Sequence, residues 1–135
     1  MKIAIFTIFL ILFSHADSND TDIVYYKSYK TAQEEAQKEK KYLFIVITAE
    51  HCGWCKKLKN TTLKEREIIE NLARDYIAVE LDMNGYYPKS IEVVGVPSVI
   101  IVEPKSGEVI KNIVGFREDS NDYLKWFRYV KNLKE

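Results

Sequence analysis

The chain has 135 residues, 20 of them basic and 20 acidic. That length suits one domain, and that balance leaves no basic field for nucleic acid and no polybasic patch for a membrane surface. A hydrophobic content of 47% is ordinary for a chain that buries a core.

Lys2 precedes the apolar run Ile3 to Phe13, and Ser14-His15-Ala16 follows it. A short basic start, an apolar stretch and a small-x-small site describe a secretory signal, with cleavage expected after Ala16. This eleven-residue stretch falls short of the roughly 20 that span a bilayer. No cysteine precedes Cys52, so no lipoprotein anchor is expected. Lys2 is the only charged residue among the first 16, so the remainder, 17–135, carries 19 basic and 20 acidic side chains. Export places the two cysteines where disulfides persist, and a periplasmic setting is expected.

Asp17 to Asp22 is polar and reads as a loose start. Ile23 to Tyr26 reads as a short strand. Thr31 to Lys40 is rich in helix formers, with Ala32 and Ala36 giving a thin apolar face, and predicts a surface helix. Tyr42 to Thr48 is a run of β-branched and aromatic residues and predicts a strand buried on both faces. Ala49-Glu50-His51 is the turn out of it. From Cys52 the pattern becomes helical, with a pause near Asn60-Thr61. Thr62 to Glu65 matches a capping box, and Ile68, Ile69, Leu72 and Ala73 then follow at helical spacing. Tyr76 to Asp82 predicts a second central strand. Asn84 to Pro88 is loop, and Ser90 to Val94 is assigned one helical turn. Ser98 to Val102 and Glu108 to Val114 predict a hairpin about the turn Pro104 to Gly107. Gly115 ends the second strand. Ser120 is expected to cap a last helix with an apolar face of Tyr123, Leu124, Trp126, Phe127, Val130 and Leu133. The nine tyrosines are scattered and read as packing residues at the core edge.

Both cysteines fall in Cys52-Gly53-Trp54-Cys55, at the predicted mouth of a helix. A disulfide closing so short a loop removes little unfolded-state entropy, about 2 kcal/mol against about 4.7 kcal/mol for a 100-residue loop. The pair suits opening and closing better than stapling. A zinc site needs four ligands, and the chain beyond Ala16 offers Cys52, Cys55 and one histidine, His51, so no metal is expected. Covalent haem attachment wants histidine after the second cysteine, where Lys56 stands. No glycine-rich phosphate loop occurs, and no cofactor is expected.

CGWC at a strand-to-helix junction, Gly95-Val96-Pro97 about 40 residues later, a hairpin, Gly115 and a C-terminal helix together resemble the thioredoxin family. The resemblance covers Ile23 to Leu133. The stretch from Tyr26 to Lys57 is most similar to exported bacterial thioredoxin-like proteins, including thioredoxins encoded beside sulfur-oxidation genes and the soluble domains of thiol:disulfide interchange proteins. It implies an α/β thioredoxin fold over 17–135, a central mixed sheet flanked by helices, with the C-x-x-C pair at a helix N-terminus and a cis-proline loop at Pro97. This chain departs from typical thioredoxins in three places. His51 replaces a tryptophan, Gly53-Trp54 replaces Gly-Pro, and Val46 replaces a buried aspartate implicated in proton transfer to the second cysteine.

The resemblance implies thiol:disulfide exchange, with Cys52 as nucleophile and Cys55 as resolving thiol. Unpaired N–H groups and the helix dipole at the helix start favour the Cys52 thiolate, the attacking species. His51, if protonated, adds to that stabilisation; an exposed turn residue without such a role is the equal alternative. Trp54 reads as an exposed contact surface beside the sulfur. Glu50, Lys56 and Lys57 read as a solvated rim. Val96 is expected beside Cys52, its backbone free to pair with an extended substrate. The resemblance favours a periplasmic protein-disulfide reductase over a dithiol oxidase or isomerase. A non-catalytic binding or chaperone module on the same scaffold is the alternative of another class. The expected partners are protein disulfides or dithiols and a membrane thiol-electron donor, with no nucleic acid. A monomer is expected, since no separate dimer domain fits.

Overall fold

The computed structural model describes residues 22–135, so the signal segment 1–16 and the beginning of the polar stretch after it lie outside the described residues. The elements run α1 (Tyr29–Glu39), β1 (Tyr42–Thr48), α2 (Gly53–Asn60), a 3-10 turn (Thr62–Lys64), α3 (Arg66–Asp75), β2 (Tyr76–Asp82), β3 (Ser98–Val102), β4 (Val109–Val114) and α4 (Asn121–Leu133). The sheet order is β2-β1-β3-β4. β1 runs parallel to β2 and antiparallel to β3, and β3 pairs antiparallel with β4. The sheet is therefore mixed, with β1 and β3 inside.

Alternation along β1 divides the core in two. Leu43, Ile45 and Ile47 meet Ala32 and Ala36 of α1 on one face. Phe44 and Val46 meet Leu58 of α2, Ile68 and Leu72 of α3, and Tyr123 and Phe127 of α4 on the other. Both faces of β1 are covered, which is why its sequence is an almost unbroken apolar run. Each fully buried Leu, Ile or Phe contributes about 1.5–3 kcal/mol of transfer free energy. The layers hold β1 as a fixed rail that delivers the chain to Cys52. No described helix is long and apolar enough to cross a membrane.

Several local expectations are corrected. Ile23 to Tyr26 forms one parallel bridge, Tyr26 to Val79, rather than a strand. The Tyr26 N–H donates to the Ala78 carbonyl and its carbonyl accepts from the Glu80 N–H, both at 2.9 Å. Ser28 then opens α1 as its N-cap, which leaves no length for further pairing. Ser90 to Val94 forms no helix; a single turn closes where the Ile91 N–H meets the Pro88 carbonyl at 2.9 Å. Thr62 does not cap α3. Glu65 occupies that N-cap position without a side-chain bond, and Thr62 lies in the 3-10 turn. Ala73 is exposed, so the α3 stripe reduces to Ile68 and Leu72, with Ile69 half-buried. Ser120 stands at the N-cap of α4 but its hydroxyl caps nothing; Asp119 Oδ1 accepts from the Asn121 N–H at 2.9 Å instead. Leu133 is exposed at the end of α4.

Candidate functional site: a disulfide at a helix mouth

The parallel strand β1 ends at Thr48 and the chain turns through Ala49, Glu50 and His51 into α2. His51 takes φ 58°, the left-handed region that non-glycine residues seldom adopt. Its imidazole stands in solvent, 90% exposed, with Nε2 3.5 Å from an equally exposed Glu50 carboxylate. Cys52 is the N-cap of α2 in extended conformation, and Cys52 and Cys55 are joined in a disulfide with Cα atoms 5.3 Å apart.

The two sulfurs occupy different surroundings. Cys52 is half-buried, whereas Cys55 is 3% exposed. Cys52 Sγ accepts the Cys55 backbone N–H at 3.2 Å. That N–H is one of the first four of α2, which have no partner inside the helix. A donor aimed at this sulfur stabilises its ionised form once the disulfide is reduced, and the positive end of the helix acts in the same direction. A Cβ at Gly53 would meet nothing within 4 Å, so the exposed Gly53 is not required by packing.

Two distant loops close on the same end of the sheet. Ser98 lies opposite Ile47 across the antiparallel β1–β3 pair. Extending that register by one residue sets Pro97 level with Thr48, at the end from which the chain departs toward Cys52. The Val96–Pro97 peptide bond is cis. Pro97 is buried and Val96 half-buried. The Pro97 carbonyl accepts the Gly115 N–H at 2.7 Å, where Gly115 takes φ 87° as β4 ends. Gly115 supplies the positive φ that lets the chain turn back across Pro97.

Phe116 follows, and sequence reasoning missed it. Its ring lies 5.3 Å from that of Trp54, tilted by 33°. Trp54 remains 59% exposed. Lys57 Nζ sits 5.1 Å from the Trp54 ring centroid and 4.9 Å from that of Phe116. Lys57 is exposed, as a solvated rim residue should be, and it also joins two aromatics 62 residues apart in sequence. The loop carrying Phe116 is pinned from behind. Thr62, 1% exposed, donates through Oγ1 to the Arg117 carbonyl at 2.7 Å. The only signal for Phe116 in the sequence was its position directly after the glycine that ends β4.

Val46 is fully buried and apolar. Its partner across the parallel pair is Glu80, so their side chains share the α2 face of the sheet. The Glu80 carboxylate accepts from Lys59 of α2 and pairs with Lys27 at 3.3 Å. Burial pushes this carboxyl up, but the hydrogen bond and charge of Lys59 together with Lys27 outweigh it and hold it below the ordinary range. Burial, aided by the Glu80 charge, pushes the neighbouring Tyr25 phenol well up. This cluster ties α2, one turn beyond Cys55, to β2 and to the segment before α1. Among the described residues no group of three or more His, Cys, Asp or Glu is placed to hold a metal ion.

A family model described as thioredoxin-like domain matches residues 29–131. The chain belongs to the thioredoxin-like domain family. Solved structures agree on the fold. A thioredoxin from Thermus thermophilus superposes with a TM-score of 0.66 at 22% identity, covering 81% of this chain and 87% of that one. The oxidised C-terminal domain of DsbD from Neisseria meningitidis gives 0.59 at 21% identity, covering 78% and 98%. A DsbH oxidoreductase gives 0.58 at 15% identity, covering 80% and 83%. No curated protein matches the chain at a significant level. The thioredoxin-like fold and its Cys52–Cys55 pair support an oxidoreductase working by thiol–disulfide exchange.

Proposed function

We propose that the protein is an exported reductase of protein disulfides, with Cys52 as the attacking sulfur and Cys55 as the resolving one. The observation that carries the exchange step is the asymmetry of the pair, Cys52 half-buried with its sulfur bonded by a helix N–H and Cys55 buried three residues behind it; the reductase direction rests on the family resemblance.

In the reduced protein the Cys52 thiolate attacks one sulfur of a client disulfide. A Cys52–client bond forms, the client S–S bond breaks, and one client thiolate leaves. Cys55 then loses its proton and attacks Cys52 Sγ. The Cys52–Cys55 bond forms and the second client thiolate departs, so two electrons have passed to the client. A dithiol donor restores the reduced pair by the same steps reversed, and a membrane thiol-electron carrier is the proposed source. The half-buried Val96, before Pro97, is proposed to pair its backbone with the extended client chain. His51, turned to solvent beside Glu50, is assigned to the rim.

Export rests on the composition of residues 1–16, and the periplasmic setting on the resemblance to exported bacterial thioredoxin-like proteins. The test is a Cys55→Ser variant. It is expected to accumulate mixed disulfides through Cys52 that a reducing agent releases. The reduction potential of the wild-type pair against glutathione is expected to lie below about −200 mV, whereas a value near that of strong oxidants, about −120 mV, overturns the reductase assignment. Absence of any exchange would leave a binding module.

A further inference from the structure

The exposed side of α2 is charged in one sense only. Gly53–Asn60 contains Lys56, Lys57 and Lys59 and no acidic residue, although the chain as a whole is balanced. Lys59 is neutralised by Glu80. Lys57 is exposed and, among the described residues, enters no salt bridge. Its ammonium is instead held against the rings of Trp54 and Phe116. Cation–aromatic contact fixes the direction of the charge and leaves it without a counterion. Trp54 lies between the two cysteines, so the ring that carries this charge belongs to the four-residue disulfide loop. Four of the exposed large apolar side chains gather at the same end of the sheet: Trp54 in the first turn of α2, and Met83, Tyr86 and Val94 in the connection from β2 to β3.

We propose that Lys57, Trp54 and Phe116 form a recognition ledge that selects client segments in which the attacked cysteine is followed by an apolar or aromatic residue and a carboxylate. The aromatic faces take the apolar side chain, and the Lys57 ammonium takes the carboxylate. The ledge is built before the client arrives. Thr62 pins the loop of Phe116 and Gly115 bonds to Pro97, so little ordering entropy is lost on docking. This inference deepens the exchange reading and rests on it, since it names what Cys52 is presented with.

The test uses three disulfide-linked peptides, identical except for Phe-Glu, Phe-Gln or Phe-Lys after the cysteine. Rates of oxidation of the reduced protein are read by stopped flow. The wild type is expected to prefer the Glu peptide over the Lys peptide by roughly fivefold at low ionic strength, with the ratio shrinking in high salt. Lys57→Gln brings the ratio to near one, Lys57→Glu inverts it, and Lys57→Arg keeps it. Phe116→Ala slows all three peptides several-fold relative to versions with Ala in place of Phe. Equal wild-type rates for the Glu and Lys peptides, or a preference that survives Lys57→Gln, overturns the ledge. Hydroxyethyl disulfide, which carries no charge and no side chains, reports on the wild type separately. If it is not reduced, the exchange reading itself fails.

Discussion

Thr62→Val tests whether the loop after β4 is held in place by one buried hydroxyl. The substitution keeps the shape of the side chain and removes the donor. In the structure Thr62 Oγ1 is 2.7 Å from the Arg117 carbonyl and 3.3 Å from that of Glu118, and the side chain is almost wholly buried. A net hydrogen bond is worth about 1 kcal/mol, and an acceptor left unpaired raises the cost toward 2 kcal/mol. Arg117 and Glu118 lie at the surface, so their carbonyls can turn to water, which sets the expected loss at about 1–2 kcal/mol. For a domain of this size that lowers Tm by roughly 4–8 °C. Stability alone does not separate the hydroxyl from packing, because Thr62→Ser deletes a buried methyl at a cost of about 1 kcal/mol. Hydrogen exchange does separate them. Thr62→Val is expected to lose amide protection across 115–118 and to weaken the Trp54–Phe116 contact read by Trp54 emission. Thr62→Ser should leave both in place. A Thr62→Val protein with unchanged Tm and unchanged exchange at 115–118 refutes the reasoning.

Glu80→Gln removes the counterion of Lys59 and Lys27 without changing shape. Both lysines reach solvent, so the loss at neutral pH is expected at about 1–2 kcal/mol. The Glu80 carboxyl is held below its ordinary value of 4.5. Its contribution is therefore complete above that value and disappears as pH falls through its lower folded value. Urea midpoints of wild type and variant should differ at pH 7 and converge in acid, once pH has fallen through the lowered Glu80 value; a gap that persists after the carboxyl is protonated excludes the ion pair as its source. Tyr123→Phe deletes a fully buried hydroxyl with no hydrogen-bond partner among the described residues. It is expected to raise stability by about 1 kcal/mol, measured by the same denaturation. A loss instead would mean that this hydroxyl is satisfied in solution.

β1, β2 and β3 were legible because their burial is two-sided or nearly so. Tyr42–Thr48 and Ser98–Val102 carry no charged residue to dilute the signal, and Tyr76–Asp82 carries only Glu80 and Asp82. The cysteine pair and Gly95-Val96-Pro97 were legible as local spacing. Thr62-x-x-Glu65 was misread because a capping box and a buried threonine that bonds a distant carbonyl have the same local sequence. What distinguishes them lies 55 residues away, at Arg117. Ile23 to Tyr26 is apolar enough for a strand, but Ser28 ends the segment before a second bridge forms. The Trp54–Phe116–Lys57 contact was invisible for the same reason as the Thr62 bond. It depends on the β3–β4 hairpin returning to the end of β1, a property of topology rather than of any window of sequence.

The most direct measurement is the pH dependence of alkylation of the fully reduced protein, with each cysteine followed by mass spectrometry. A sulfur that accepts a helix N–H is expected to ionise at least one pH unit below an ordinary thiol, whose pKa is about 8.5. Cys52 should therefore react rapidly at pH 7, while the buried Cys55 stays protected until Cys52 is modified or the chain unfolds. Equal reactivity of the two, or a Cys52 titration at 8.5 or above, contradicts the account.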